Sequence, residues 1–174
     1  MNLILQRLSR RPRAAAAAAA ILGSLALGGL SGPQRALIID ADELKGLMAD
    51  HTFYGRYTSN TQDWIEYYAP DGRLGYWDGC PHSGRWWIEW APGINGAGAA
   101  AACFNYPTMV GANTFCFDVY RVSSVPSGSR LEFLTLGTSP ALPALAYTRA
   151  IASGNPEHLS LTASGCQVSS VTPP

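Results

Sequence analysis

The stretch that decides the fold is Gly84 to Val122, GRWWIEWAPGINGAGAAAACFNYPTMVGANTFCFDVYRV. It carries three of the chain's five tryptophans, a pair of cysteines, and two strand-like runs separated by turn residues. If Cys103 and Cys116 are set opposite one another, the midpoint falls between Met109 and Val110. Pro107, Gly111 and Asn113 there supply turn chemistry. In this register Phe104 faces Phe115 and Ala102 faces Phe117. Alternation with period two puts Phe104, Tyr106, Phe115, Phe117 and Val119 on one face, and Cys103, Asn105, Cys116, Asp118 and Tyr120 on the other. The first face is a core face. The second can carry a cross-strand disulfide, which would close a loop of about 14 residues and contribute roughly 3 kcal/mol.

Outward from the hairpin, turn signals recur about every ten residues, with aromatic and β-branched runs between them. The expected strands are 52–58, 64–69, 74–78, 84–90, 99–106, 114–122, 130–136 and 145–152. Pro70-Asp71-Gly72-Arg73 is a hairpin turn, in which proline presets φ and glycine takes positive φ. Before the strands, Asp40 or Asp42 can cap a short helix that places Leu44, Leu47 and Met48 on one side and ends near Asp50. No helix follows each strand, so a parallel α/β sheet is disfavoured. The prediction is a mainly β domain: an antiparallel meander of about seven to eight strands forming a small barrel or curled sheet, with one short N-terminal helix. The small-residue run Gly96 to Ala102 reads either as a flexible loop or as a tightly packed strand start.

The first 31 residues read as an export signal to be removed. Arg7, Arg10, Arg11 and Arg13 precede the apolar run Ala14–Leu30, and small residues follow. Arg10-Arg11 hints at twin-arginine export, against which Pro12 speaks. The run is also at the short edge for a retained anchor. Residues 32–36 read as a linker, 38–160 as the single β domain, and 161–174 as a polar tail. Four of the 12 basic residues lie in the leader, leaving eight against 12 acids, a net charge of −4 for the exported part. That balance argues against nucleic acid, and against an anionic membrane surface once the signal is gone. All four cysteines, Cys80, Cys103, Cys116 and Cys166, follow the leader. An even count in an oxidising, periplasmic or extracellular compartment suggests two disulfides. The hairpin register favours Cys103–Cys116 and leaves Cys80–Cys166. A slipped register would pair Cys103 with Cys80.

Few residues carry chemistry. Cys80-Pro81-His82 offers two metal ligands, and nothing completes a metal site. Asp78, His82 and Ser83 are the residue types of a hydrolase triad, crowded into one turn with no nucleophile elbow. No glycine-rich phosphate loop occurs, and no cofactor is expected. Strand alternation puts Trp64, Glu66 and Tyr68 on one face of their strand and Arg85, Trp87 and Glu89 on one face of theirs. If these six residues share a side of the sheet, they form an aromatic and acidic concavity for a small amphipathic ligand or an envelope protein. Glu66 and Glu89 would then be a conceivable carboxylate pair for a cell-envelope hydrolase.

Several runs resemble one protein family: Leu44–Gly55 (LKGLMADHTFYG), Glu66–Arg73 (EYYAPDGR), Gly84–Glu89 (GRWWIE), Cys103-Phe104, Cys116–Arg121 (CFDVYR) and Gly154–Glu157 (GNPE). The family is a group of small exported proteobacterial proteins with a domain of unknown function. The resemblance covers residues 38 to 160. It implies a leading helix, a Pro-Asp-Gly hairpin and the Cys103–Cys116 pair, and it implies no reaction. The Gly/Ala insertion at Gly93–Ala101 and the cysteines Cys80 and Cys166 depart from its pattern. Together these readings describe an exported, lipocalin-like, non-enzymatic binding or accessory protein.

Overall fold

The computed structural model of the chain describes residues 34–92, 98–107, 109, 114–125, 128–162 and 165. The expected export signal, Cys166 and most of the 161–174 tail lie outside the described residues, as does much of the turn between Cys103 and Cys116.

Nine strands and one helix follow in chain order: β1 (Gln34–Leu37), α1 (Ala41–Met48), β2 (His51–Tyr57), β3 (Asp63–Tyr68), β4 (Arg73–Trp77), β5 (Pro81–Pro92), β6 (Gly98–Asn105), β7 (Thr114–Val125), β8 (Gly128–Thr135) and β9 (Ala146–Ser153). Strands β2 to β9 pair antiparallel with their chain neighbours, and β9 returns to pair with β2. The result is a closed eight-stranded antiparallel barrel, with β1 added alongside β7. Closure leaves the eight barrel strands without a free edge.

The strand order follows from local chemistry. Gly72, with φ of 83°, makes the turn after Pro70-Asp71 possible, and its N–H donates to the Ala69 carbonyl at 3.0 Å. The hairpin register is the one the cysteines dictate: Cys103 faces Cys116, Phe104 faces Phe115, and Ala102 faces Phe117. The two cysteine Cα atoms are 4.1 Å apart and the disulfide is formed, the close spacing of a non-hydrogen-bonded antiparallel pair. Cys80 is also disulfide-bonded; its expected partner Cys166 lies outside the described residues. From Gly98 onward the small-residue run is strand, and Ala99 to Ala102 are buried.

One end of the barrel is plugged by α1. Asp40 caps it, its Oδ1 accepting from the Glu43 N–H at 2.7 Å, and Asp42 and Glu43 sit in the positive first turn. Leu44 and Met48 are fully buried in the barrel core. Asp50, at φ 59°, then reverses the chain into β2. The core itself is a train of rings. Phe53 meets Tyr68, Tyr68 meets Trp86 and Phe104, and Phe104 meets Phe117, with centroids 4.9 to 5.9 Å apart. Most of these pairs are tilted or edge-on, the arrangement the ring quadrupole favours.

Phe115, expected on the core face, is 42% exposed, and two further features differ from the expectation. Residues 34–37 are not linker but strand β1, which pairs with β7 from Gln34↔Ser123 to Leu37↔Tyr120. Its Arg35 explains why. The guanidinium donates to the buried Glu132 at 2.6 Å and to the Leu142 carbonyl at 2.7 Å. This ties β1, β8 and the β8–β9 connection over the outer face of the barrel. There Leu37, Tyr120, Leu134 and Ala144 form a second, smaller apolar cluster. The other difference concerns the facing of β3 and β5.

Candidate functional site

Pairing fixes which side chains enter the barrel. Glu66 lies opposite Tyr76, and Tyr76 lies opposite His82. Even-numbered residues of β5 therefore share the face of Glu66. Trp86 and Ile88 belong to that interior face, while Arg85, Trp87 and Glu89 project outward. The six residues expected on one side are thus split. Trp64, Glu66 and Tyr68 are buried in the interior. On the outside, Trp87 Nε1 donates to Glu89 at 3.3 Å, and Glu89 Oε2 lies 3.6 Å from the Cys103 sulfur. Phase within each strand is readable from alternation, but phase between β3 and β5 is set by two turns and the strand between them. The two carboxylates consequently share no cavity, and no substrate bond can lie between Glu66 and Glu89.

The interior holds a cavity of about 50 Å³ at the end away from α1. Its wall is aromatic, built from Tyr57, Trp64, Tyr76, Phe117 and Phe133 around Glu66, and it reaches the surface at Leu145, which is 42% exposed. Gly55 makes this wall possible. It lies opposite Trp64, and a Cβ there would sit 2.0 Å from Cζ2 of the indole, so only glycine lets the ring lie flat across β2.

Glu66 is only 4% exposed. Its Oε2 accepts from the Tyr68 hydroxyl at 2.7 Å and its Oε1 from the Tyr106 hydroxyl at 2.5 Å. Burial pushes its carboxyl up to about 7, while the two tyrosine hydrogen bonds pull the other way. Burial also raises Tyr68 and Tyr106, with the neighbouring Glu66 charge adding to the effect. Tyr57 and Tyr76 are hydrogen-bonded to each other at 2.8 Å through their hydroxyls. Among the described residues, one buried side-chain polar atom has no partner at all: Trp64 Nε1. A buried donor left unpaired costs about 1–3 kcal/mol, so its place in a cavity wall marks the site.

Other candidates close off. Glu89, Cys103 and Cys116 present potential metal ligands within 4.8 Å of one another, but the disulfide occupies both sulfurs. His82 Nε2 lies 3.7 Å from Asp78 Oδ1, with its ring against Tyr76, and neither residue lines the cavity. Sequence reasoning had Tyr106 on a core face but missed that it, with Tyr57 and Tyr76, would surround Glu66. The available signal was an acid between Trp64 and Tyr68 on an otherwise aromatic face. No known protein family, curated protein or solved structure matches the chain.

Proposed function

We propose that this is an exported, periplasmic or secreted, non-enzymatic binding or accessory protein of lipocalin-like build, holding a small amphipathic molecule in the far end of its barrel. The observation that carries this reading is the aromatic cavity with a buried carboxyl and an unpaired indole donor in its wall. An interior built only for stability would place apolar groups there, because polar atoms at depth must be compensated. The leader-like first 31 residues and the Cys103–Cys116 disulfide support export. The resemblance to small exported proteobacterial proteins is consistent with it. Nucleic acid is disfavoured by the net −4 of the exported part. The hydrolase alternative loses its support, since its two carboxylates lie on opposite faces. Native mass spectrometry of protein isolated from an envelope fraction without denaturant tests the proposal. A bound mass released on unfolding is expected. Native and unfolded masses that agree, in protein never exposed to denaturant, would contradict it.

A further inference from the structure

The polar atoms of the cavity are not balanced. Glu66 already accepts two tyrosine hydroxyls. The Tyr57–Tyr76 pair uses one hydroxyl hydrogen between its two oxygens, which leaves the other without an acceptor among the described residues. Trp64 Nε1, a donor only, has no acceptor either. Trp64 Nε1 is therefore the buried donor left unmet, and Tyr57, one of the two rings that share the spare hydroxyl hydrogen, lies beside it with centroids 6.4 Å apart. A carbonyl oxygen accepts through two lone pairs and brings no donor of its own, so it answers the indole without adding a hydrogen that needs an acceptor, as a hydroxyl would. Charge narrows the class further. The ionisable side chains facing Glu66 are the hydroxyls of Tyr57, Tyr68, Tyr76 and Tyr106, and no lysine, arginine or histidine lines the cavity among the described residues. An anion would meet a carboxyl and no cation. Size narrows it again: about 50 Å³ holds about four waters at 10–15 Å³ each, or a compact molecule of four or five non-hydrogen atoms.

Resting on the reading that the barrel interior is a ligand site, we infer that its occupant is a small neutral carbonyl compound, or the carbonyl-bearing end of a longer one leaving past Leu145, whose oxygen accepts from Trp64 Nε1. The apolar remainder lies against Phe117 and Phe133.

The probes are 2-butanone and 2-methyl-1-butene, which have the same shape, one with an acceptor oxygen and one with a methylene in its place. Indole N–H signals of the ¹⁵N-labelled exported protein are followed during titration, with the Trp64 signal identified by its loss in Trp64→Phe. The ketone is expected to move the Trp64 proton downfield to saturation and to bind about tenfold more tightly than the alkene, the worth of one buried hydrogen bond. In Trp64→Phe the two probes should bind within about twofold of each other. If that variant does not fold, the Trp64 signal is assigned by its through-space contact to the Gly55 Hα protons, against which the ring lies, and the wild-type indole shift decides alone. Equal binding of ketone and alkene, or ketone binding that leaves the Trp64 proton in place, would overturn the acceptor inference and leave the ligand site standing. Binding of neither probe, with the Trp64 proton reporting only water, would remove both.

Discussion

Glu66→Gln turns the buried carboxyl into a measurable quantity. In the unfolded chain a glutamate ionises near 4.5; in the barrel, burial moves Glu66 to about 7. The folded pKa is raised, so this group's contribution to stability is fully present below pH 4.5 and is lost as pH rises toward 7. At about 1.4 kcal/mol per pH unit over that window, the loss is about 3 kcal/mol, level above neutrality. Glutamine keeps the shape and an acceptor for a tyrosine hydroxyl and does not ionise. Urea unfolding followed by tryptophan fluorescence, at half-unit steps from pH 4 to 8, gives the two curves. Asp118, raised by burial, and Asp63, lowered by Arg56, titrate alike in both proteins and cancel in the difference. Wild type is expected to lose about 3 kcal/mol relative to the variant between pH 4.5 and 7. Parallel curves across that range would refute a buried, desolvated Glu66.

Three further predictions rest on separate contacts. The double variant Cys103→Ser, Cys116→Ser removes a cross-link between residues 13 apart and should lower unfolding stability by about 3 kcal/mol in non-reducing buffer. Equal stability of variant and oxidised wild type in urea would count against the bond. Gly55→Ala sets a methyl 2.0 Å from the Trp64 ring, so it should cost about 1–3 kcal/mol and shift the Trp64 indole signal, whereas Gly46→Ala, which meets nothing within 4 Å, should do neither. Arg35→Ala leaves the buried Glu132 with Arg130 alone. A loss of about 2 kcal/mol is expected, with faster amide exchange in β1 and at residues 140–145; unchanged exchange there would show that Arg35 does not hold these segments.

What could be read beforehand was local. The cysteine register, the Pro70-Asp71-Gly72 turn and the helix cap each depend on residues within about a dozen positions of one another, and strand alternation placed Phe104, Tyr106, Phe117 and Val119 in the core, though not Phe115, which is exposed. What escaped depends on distant partners. Strand β1 is four residues long, and its anchor joins Arg35 to Glu132 across 97 positions. That Glu66 is enclosed among tyrosines depends on Tyr106, 40 positions on, which donates to it. The placing of Arg85, Trp87 and Glu89 outside rather than beside Trp64 turned on the parity of one intervening strand, since a shift of one residue exchanges the two faces of a strand.

The claim that the barrel interior is built around a ligand is tested most directly by a crystal structure of the protein purified, without denaturant, from its native source at near-neutral pH. The account predicts continuous non-protein density, larger than water, running from Trp64 Nε1 along Phe117 and Phe133 toward Leu145. Discrete waters alone in that space, with one of them accepting from Trp64 Nε1, would contradict it.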